Sequence, residues 1–251
     1  MHRILAHTTP RNVVVWSVLD AELAAHDEPL TIVDVGGGTG GMAVPLAEAG
    51  HAVTVVDTSP NALAGLTRRA TEAGVAERIQ AVQGDADALA DVIEPSSAHL
   101  VLCHNVLEMV EAPDKAMGSV ASVLRPGGAV SVLVANRAAA VLARALGGHL
   151  RLAQEILTDA DGRAGNRDTL SRRFELSGIT ALVEQSGLVV EQVHGVRVIA
   201  DLVPGGSDTE GATADALRDF ELATAARLPY RDIASQLHIF ARRPLPTGDG
   251  A

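Results

Sequence analysis

The segment Leu30–Val35, a short and largely apolar stretch, ends abruptly in Gly36-Gly37-Gly38-Thr39-Gly40-Gly41, and this junction constrains the fold more than any other feature. Five glycines in six positions cannot continue a strand. They allow a sharp turn and let backbone approach a ligand closely. The helical stretch Met42–Ala49 follows, stopped by Gly50, and His51–Val56 reads as a second strand ending at Asp57. Gly36, Gly38 and Gly41 satisfy G-x-G-x-x-G, and Asp57 stands 21 residues after Gly36. An acid at that place is set to hydrogen-bond ribose hydroxyls. The bland alternative, a tight turn beside a solvated acid, leaves the joint spacing unexplained. An adenosine-bearing cofactor is the implication.

The same rhythm continues down the chain. A helix is expected at about Arg11–Ala25, another from Ser59-Pro60 to about Ala73, and a third at Pro113–Leu124, stopped by Arg125-Pro126-Gly127-Gly128. Between them Arg78–Val82, His99–Cys103 and Ala129–Ala135 read as strands. Strands alternating with helices of this length imply parallel βαβ units covered on both faces. After Ala135 the rhythm breaks. Arg137 to Arg173 is expected to hold a short helix and a polar loop. Regular elements resume with a helix at about Ile179–Gln185, a strand at Leu188–Val198, a helix at about Thr213–Arg227 and a last strand near Ile233–Ala241. Gly205–Gly211 reads as a loop. The reading is one α/β domain over residues 1–243, with 137–176 as an inserted, substrate-facing segment and 244–251 as a disordered tail.

Composition narrows the class. The 251 residues are 47% apolar and 20% charged, an ordinary globular balance. Acids outnumber bases 31 to 20, and the net charge of −11 argues against a nucleic-acid coat. Charge is unevenly placed, however. Arg137 to Arg173 holds seven arginines against four acids, 7 − 4 = +3, so the remainder carries −11 − 3 = −14. Five aromatics are too few for a base-stacking platform. Cys103 is the single cysteine, which excludes disulfides and cysteine-based zinc and fits a reducing cytosol. Nine histidines show no H-x-x-x-H pair, so no metal site is expected. Met1–Pro10 lacks an apolar leader and no apolar run reaches membrane-spanning length, so a cytoplasmic location without membrane attachment is expected.

Several residues pull away from dinucleotides. Asp34 lies inside the first strand, Gly36-x-Gly38-x-Gly40 is complete as well, and Gly84-Asp85-Ala86 places a second acid at the end of the third strand. The Tyr and Lys pair of short-chain dehydrogenases has no counterpart, since Tyr230 and Lys115 are the only residues of their types. Together, Val33-Asp-Val-Gly-Gly-Gly-Thr-Gly40, Asp57, Gly84-Asp-Ala86 and Leu124-Arg-Pro-Gly-Gly128 resemble class I S-adenosylmethionine-dependent methyltransferases. The resemblance implies a Rossmann-like, seven-stranded, mostly parallel sheet with a final antiparallel strand, and S-adenosylmethionine as cofactor with S-adenosylhomocysteine as product. It also implies cofactor contacts from Arg11, Asp34, Gly36, Gly37, Gly38, Gly40, Asp57, Thr58, Asp85, Ala86 and His104. His99 departs from the family, which usually carries an acid at the start of the fourth strand.

More specific echoes are Arg11-Asn-Val-Val-Val-Trp16, His104-Asn-Val-Leu-Glu108, Asn136, Gly195-Val-Arg-Val198, Pro229-Tyr230, His238 and Ala241-Arg-Arg-Pro244. They resemble the bacterial tRNA methyltransferase subfamily that esterifies the carboxylate of 5-carboxymethoxyuridine at the wobble position. Residues 147–176 match it poorly. The implied acceptor is that tRNA nucleoside or a small anionic molecule, met by Asn136, Arg172, Arg173, Arg197, Tyr230 and His238, with His104, Arg197 and Tyr230 at the reacting groups. A carboxylate acceptor is already ionised at neutral pH and needs no base, whereas a hydroxyl or amine would call on His104. Each residue has a plainer reading. Arg11 could snorkel from a surface helix, Asp85 and Glu108 could cap turns, and Asp34 could hold the glycine loop without touching cofactor. Trp16 reads as a core anchor, His104 could be a hydrogen-bonded structural histidine, and Tyr230 and His238 could be core residues with a polar handle. The rival functions are a small-molecule O- or N-methyltransferase and a non-catalytic cofactor-binding module.

Overall fold

The computed structural model describes residues 9–203 and 212–246. The expectations for the leader region Met1–Thr8, the loop Gly205–Gly211 and the end of the tail, residues 247–251, lie outside the described residues. The chain divides into two compact units. One comprises Met1–Ala25, Leu133–Ile179 and Gln192–Ile239; the other comprises His26–Val132, Thr180–Glu191 and Phe240–Ala251.

The elements in chain order are α1 (Val13–Ala24), β1 (Thr31–Val35), α2 (Ala43–Glu48), β2 (Ala52–Asp57), α3 (Pro60–Glu72), β3 (Ile79–Gln83), β4 (Ala98–His104), α4 (Pro113–Val123) and β5 (Leu124–Ala135). Then come α5 (Arg137–Leu146), α6 (Leu150–Thr158), α7 (Leu176–Gln185), β6 (Val189–Val196), α8 (Ala212–Thr224) and β7 (Gln236–Arg242). The strands form one sheet in the order β3-β2-β1-β4-β5-β7-β6. β1 is parallel to both neighbours, Val33 pairing with Thr54 of β2 and with Val101 of β4. Its four residues after Thr31 are all buried, as a strand covered on both faces requires. The Asn136 amide donates to Ser235 and the Gly127 amide to Arg243, so β7 runs backwards along β5. The sheet is therefore seven-stranded and mostly parallel, with an antiparallel final strand.

Local chemistry sets most boundaries. Ser59 caps α3 by accepting from the Ala62 amide, and Pro60 occupies the first helical position, where its missing N–H costs nothing. His99 accepts from the Thr31 amide through Nδ1, so β4 is tied to β1 there without an acid. Trp16 is only 5% exposed and anchors α1 as core.

Two expectations are corrected. Arg125-Pro126-Gly127-Gly128 does not precede β5 but lies inside it, because the backbone of Arg243 pairs with Gly127 and Gly128. The segment after Ala135 holds two helices rather than one, broken at Gly147-Gly148, with Gly148 at φ +79°. Arg137 closes the carboxyl end of α6 by donating to the carbonyls of Ile156, Leu157 and Asp159.

The loop after α6 is held by carboxylates. Asp159 accepts from the amides of Asp161 and Arg163. Asp168 accepts from Ala164 and Leu170 and pairs with Arg173, both side chains being nearly buried at 4% and 10% exposure. Burial alone would raise the Asp168 carboxyl, but the Arg173 guanidinium and the two amides outweigh it and hold it well below the usual carboxylate range. Asp168→Asn is expected to lower the unfolding free energy by about 3 kcal/mol, as removal of one partner from a buried pair does. The wild type's advantage should be full above pH 4, because the folded carboxyl lies below its ordinary 3.8, and should shrink as pH falls further. Urea titrations of both proteins across that range check this.

Candidate active site

The glycine loop is packed from below by the residues around it. A Cβ on Gly37 would sit 2.4 Å from the Asp34 Oδ2 and 3.0 Å from the Val55 side chain. Gly40, at φ +81°, would drive a Cβ to 2.3 Å from the Leu66 side chain. Neither position admits any other residue without displacing buried groups. Asp57 fixes the loop from the side: Oδ2 accepts from the Gly38 amide at 2.9 Å and Oδ1 from the Ser59 amide at 2.8 Å. Each oxygen keeps a lone pair, so the half-exposed carboxylate can still take a hydroxyl. Arg69, which the sequence did not single out, donates to the Thr39 carbonyl and clamps the far end of the loop. Thr58 and Asp85 are exposed beside it and Ala86 is buried.

Beneath the loop lies Asp34, 2% exposed, with its Oδ2 buried and without a hydrogen-bond partner among the described residues. Burial, reinforced by Asp57, pushes its carboxyl up to about 7. Burial, with the Glu108 and Asp34 carboxylates, likewise pushes the Cys103 thiol up to about 12, which leaves it an inert hydrophobe. His104 ends β4, its Nε2 2.8 Å from the Ser131 hydroxyl on β5. Burial lowers its pKa to about 4, so the imidazole is neutral at physiological pH. An efficient general base titrates near the working pH, which this buried imidazole does not.

In the other unit Arg11 and Arg197 converge on Asp201. Arg11 Nη2 lies 2.9 Å from Oδ1, and Arg197 Nη1 lies 3.5 Å from Oδ2. The Nε of each arginine is buried with no partner among the described residues. Arg197 adopts φ +59°, a left-handed conformation that costs on the order of 1–3 kcal/mol and persists only where surroundings fix it. They do: its carbonyl accepts from the Ser235 amide, and the next three amides donate to Glu221. Tyr230 is exposed and Arg172 half-buried.

Three of the residues read as acceptor contacts are occupied internally. Asn136 is 3% exposed; its Oδ1 caps α5, and its amide donates to the carbonyls of Asp232 and Ala234. Arg173 is held by Asp168 and the Gly162 carbonyl. His238 is fully buried, its ring stacked on His194 with centroids 5.6 Å apart. Among the described residues no cluster of His, Cys, Asp or Glu could hold a metal. None of their helices is long and apolar enough to cross a membrane.

Residues 32–128, which hold the glycine loop, Asp57, Asp85 and His104, match a methyltransferase domain family. Over these residues the chain carries a methyltransferase domain. Across 237 residues it is 28% identical to the tRNA 5-carboxymethoxyuridine methyltransferase of Escherichia coli K12, covering 93% of this chain and 88% of that one. It is 34% identical over 106 residues to a ubiquinone biosynthesis O-methyltransferase of Cupriavidus pinatubonensis, covering 42% of this chain and 41% of that protein. A solved S-adenosylmethionine-dependent methyltransferase from Methanosarcina mazei shares the fold, with a TM-score of 0.62 at 16% identity, covering 91% of this chain and 97% of that one.

The methyltransferase's loop geometry generates two predictions. Gly37→Ala should weaken S-adenosylhomocysteine binding at least tenfold, about 1.4 kcal/mol, in calorimetry on protein whose circular dichroism is unchanged. Asp34→Asn should stabilise the cofactor-free enzyme in a pH-dependent way. A folded carboxyl near 7 against an ordinary 3.8 makes the native state progressively less favoured as pH rises between those values. The variant's advantage should grow by roughly 1.4 kcal/mol per pH unit in that window and level off above it. Equal pH profiles for the two proteins would refute the assignment.

Proposed function

We propose that this methyltransferase esterifies a carboxylate on a modified tRNA wobble uridine. The observation that carries the reading is the convergence of Arg11 and Arg197 on Asp201 with both buried Nε donors unfilled among the described residues. Two planar guanidinium groups with spare donors suit carboxylates, which they bind through paired hydrogen bonds. The lowered pKa of His104 supports it: a carboxylate nucleophile requires no base, whereas a hydroxyl acceptor would want one titrating near neutrality. The similarity over 93% of the chain to a protein named for 5-carboxymethoxyuridine supports the acceptor, while the O-methyltransferase similarity covers only 42%.

S-adenosylmethionine supplies the electrophilic methyl group. The chain's residues supply orientation and exclusion of water, and alignment alone is worth on the order of 7–11 kcal/mol in well-oriented systems. In this reading Asp57 and Thr58 hold the ribose, Asp85 and Ala86 meet the adenine, and Arg11 meets the amino-acid carboxylate. Arg197 holds the acceptor carboxylate, and Tyr230 and Arg172 flank the nucleoside. His104, neutral and bonded to Ser131, orients rather than titrates. Residues 1–243 act as one methyltransferase domain in the cytosol, with 137–176 facing the acceptor.

Enzyme incubated with methyl-labelled cofactor and bulk tRNA, followed by nuclease digestion, should place label in the nucleoside fraction. Mild alkali should then release that label as methanol, since esters hydrolyse and methyl ethers do not. Label that never enters nucleosides refutes the tRNA acceptor; alkali-stable label refutes the carboxylate.

A further inference from the structure

Glu221, in the last turn of α8, is fully buried, and its carboxylate faces backbone rather than a cation. Oε2 accepts from the Val198 amide at 2.8 Å, and Oε1 from Ile199 at 2.9 Å and Ala200 at 2.8 Å. Three successive amides aimed at one carboxylate is the arrangement that caps the start of a helical turn, and the turn is present: the Leu202 and Val203 amides return to the Ile199 carbonyl. Caps usually come from the adjacent chain. This one comes from a helix twenty residues away, and its three bonds lie between two charged side chains, Arg197 before the turn and Asp201 within it. The Ser235 amide holds the Arg197 carbonyl from the other side. Arg197 is thereby fixed in its left-handed conformation. Gly195 allows this clamp to close, since a Cβ there would sit 2.7 Å from the Arg231 carbonyl oxygen.

We infer that Glu221 is a positioning residue: by holding the amides of Val198, Ile199 and Ala200, it sets the direction in which Arg197 presents its guanidinium group to an anionic acceptor. The inference rests on the carboxylate reading above. A purely structural Glu221 would cap the turn without any bearing on what Arg197 binds. A positioning Glu221 acts only through that arginine, so its effect on binding vanishes when the arginine's side chain is gone.

The test uses phenoxyacetate, one carboxymethoxy group on an aromatic ring, titrated into the full-length protein saturated with S-adenosylhomocysteine. Calorimetry gives the affinity, and the ¹⁵N-labelled arginine Nε–H signals report which side chain responds. Wild type should bind saturably with the Arg197 signal shifting, and Arg197→Ala should weaken binding at least tenfold. Glu221→Gln should weaken it at least fivefold in the wild-type background and less than twofold in the Arg197→Ala background. Glu221→Asp, which keeps the charge but draws back one methylene, serves where the glutamine variant does not fold, and should show the same dependence on background. Wild type that fails to bind, or Arg197→Ala that binds like wild type, overturns the carboxylate reading of this site. Weaker binding in Arg197→Ala with unchanged binding in the Glu221 variants leaves that reading standing and overturns the positioning role. Equal losses in both backgrounds mean a general structural effect and overturn it as well.

Discussion

The carboxylate of Asp57 accepts the Gly38 amide and the Ser59 amide at once, and the cofactor half of the molecule depends on that pair of bonds. A loop with five glycines has more backbone freedom to lose than any other stretch of the chain. Left to itself it would sample many turns, few of them able to cradle a ligand. Asp57 ties it to the end of β2, Arg69 ties it to α3 through Thr39, and Leu66 packs under Gly40. The loop is therefore ordered by the protein's own groups, and part of the ordering cost that a ligand would otherwise meet is met on folding. Asp34 shows the limit of this economy. Its carboxyl is buried below Gly37 with one oxygen lacking a partner, so its ionised form is disfavoured. The packing that shapes the loop thus excludes water from a group that would keep it.

The same device recurs in the other unit with the roles changed. Glu221 is fully buried and hydrogen-bonded by amides instead of a cation. A carboxylate with three N–H donors escapes the desolvation penalty that an unpaired buried charge incurs. What it gains for the protein is a left-handed Arg197 at a place where the sequence offers no glycine. In both units a negative side chain from one element disciplines the backbone of another, and the functional groups stand at the margins of the disciplined segment.

This explains what could be read from the residues and what could not. The glycine loop, Asp57 and the strand–helix alternation are local patterns, fixed by φ/ψ demands and periodicity, and they were legible. So was the antiparallel last strand, through family resemblance. The break in rhythm after Ala135 was legible, but not the second helix within it, because α6 buries only Ala153 and Ile156 of its nine residues and so carries a weak core signal. Asn136, Arg173 and His238 were polar residues in suggestive company whose partners come from elsewhere in the chain: Asp232 and Ala234, Gly162 and Asp168, and His194. Spacing cannot tell a polar group facing substrate from one closing a turn. Asp201 and Glu221 went unnoticed for the converse reason. Nothing beside them in sequence marks an acid as the partner of Arg11, or as the cap of a turn more than twenty positions upstream.

The local excess of arginine is also redistributed by the fold. Of the seven in residues 137–173, Arg137 closes α6 and Arg173 is paired with Asp168, so neither lends its charge fully to solvent. Arg144, Arg151 and Arg167 are exposed, and Arg144 and Arg151 lie on the helices that also expose Leu146 and Leu150. A phosphate backbone is drawn by the exposed guanidinium groups and ignores the paired ones. An RNA partner would therefore be drawn by Arg144 and Arg167, with Arg151 shared with Glu155 at 3.9 Å, whereas a carboxylate acceptor would be met separately by Arg197. The two could stand or fall apart. A chain that kept the second and lost the first would still be built to hold an anion, but a small one.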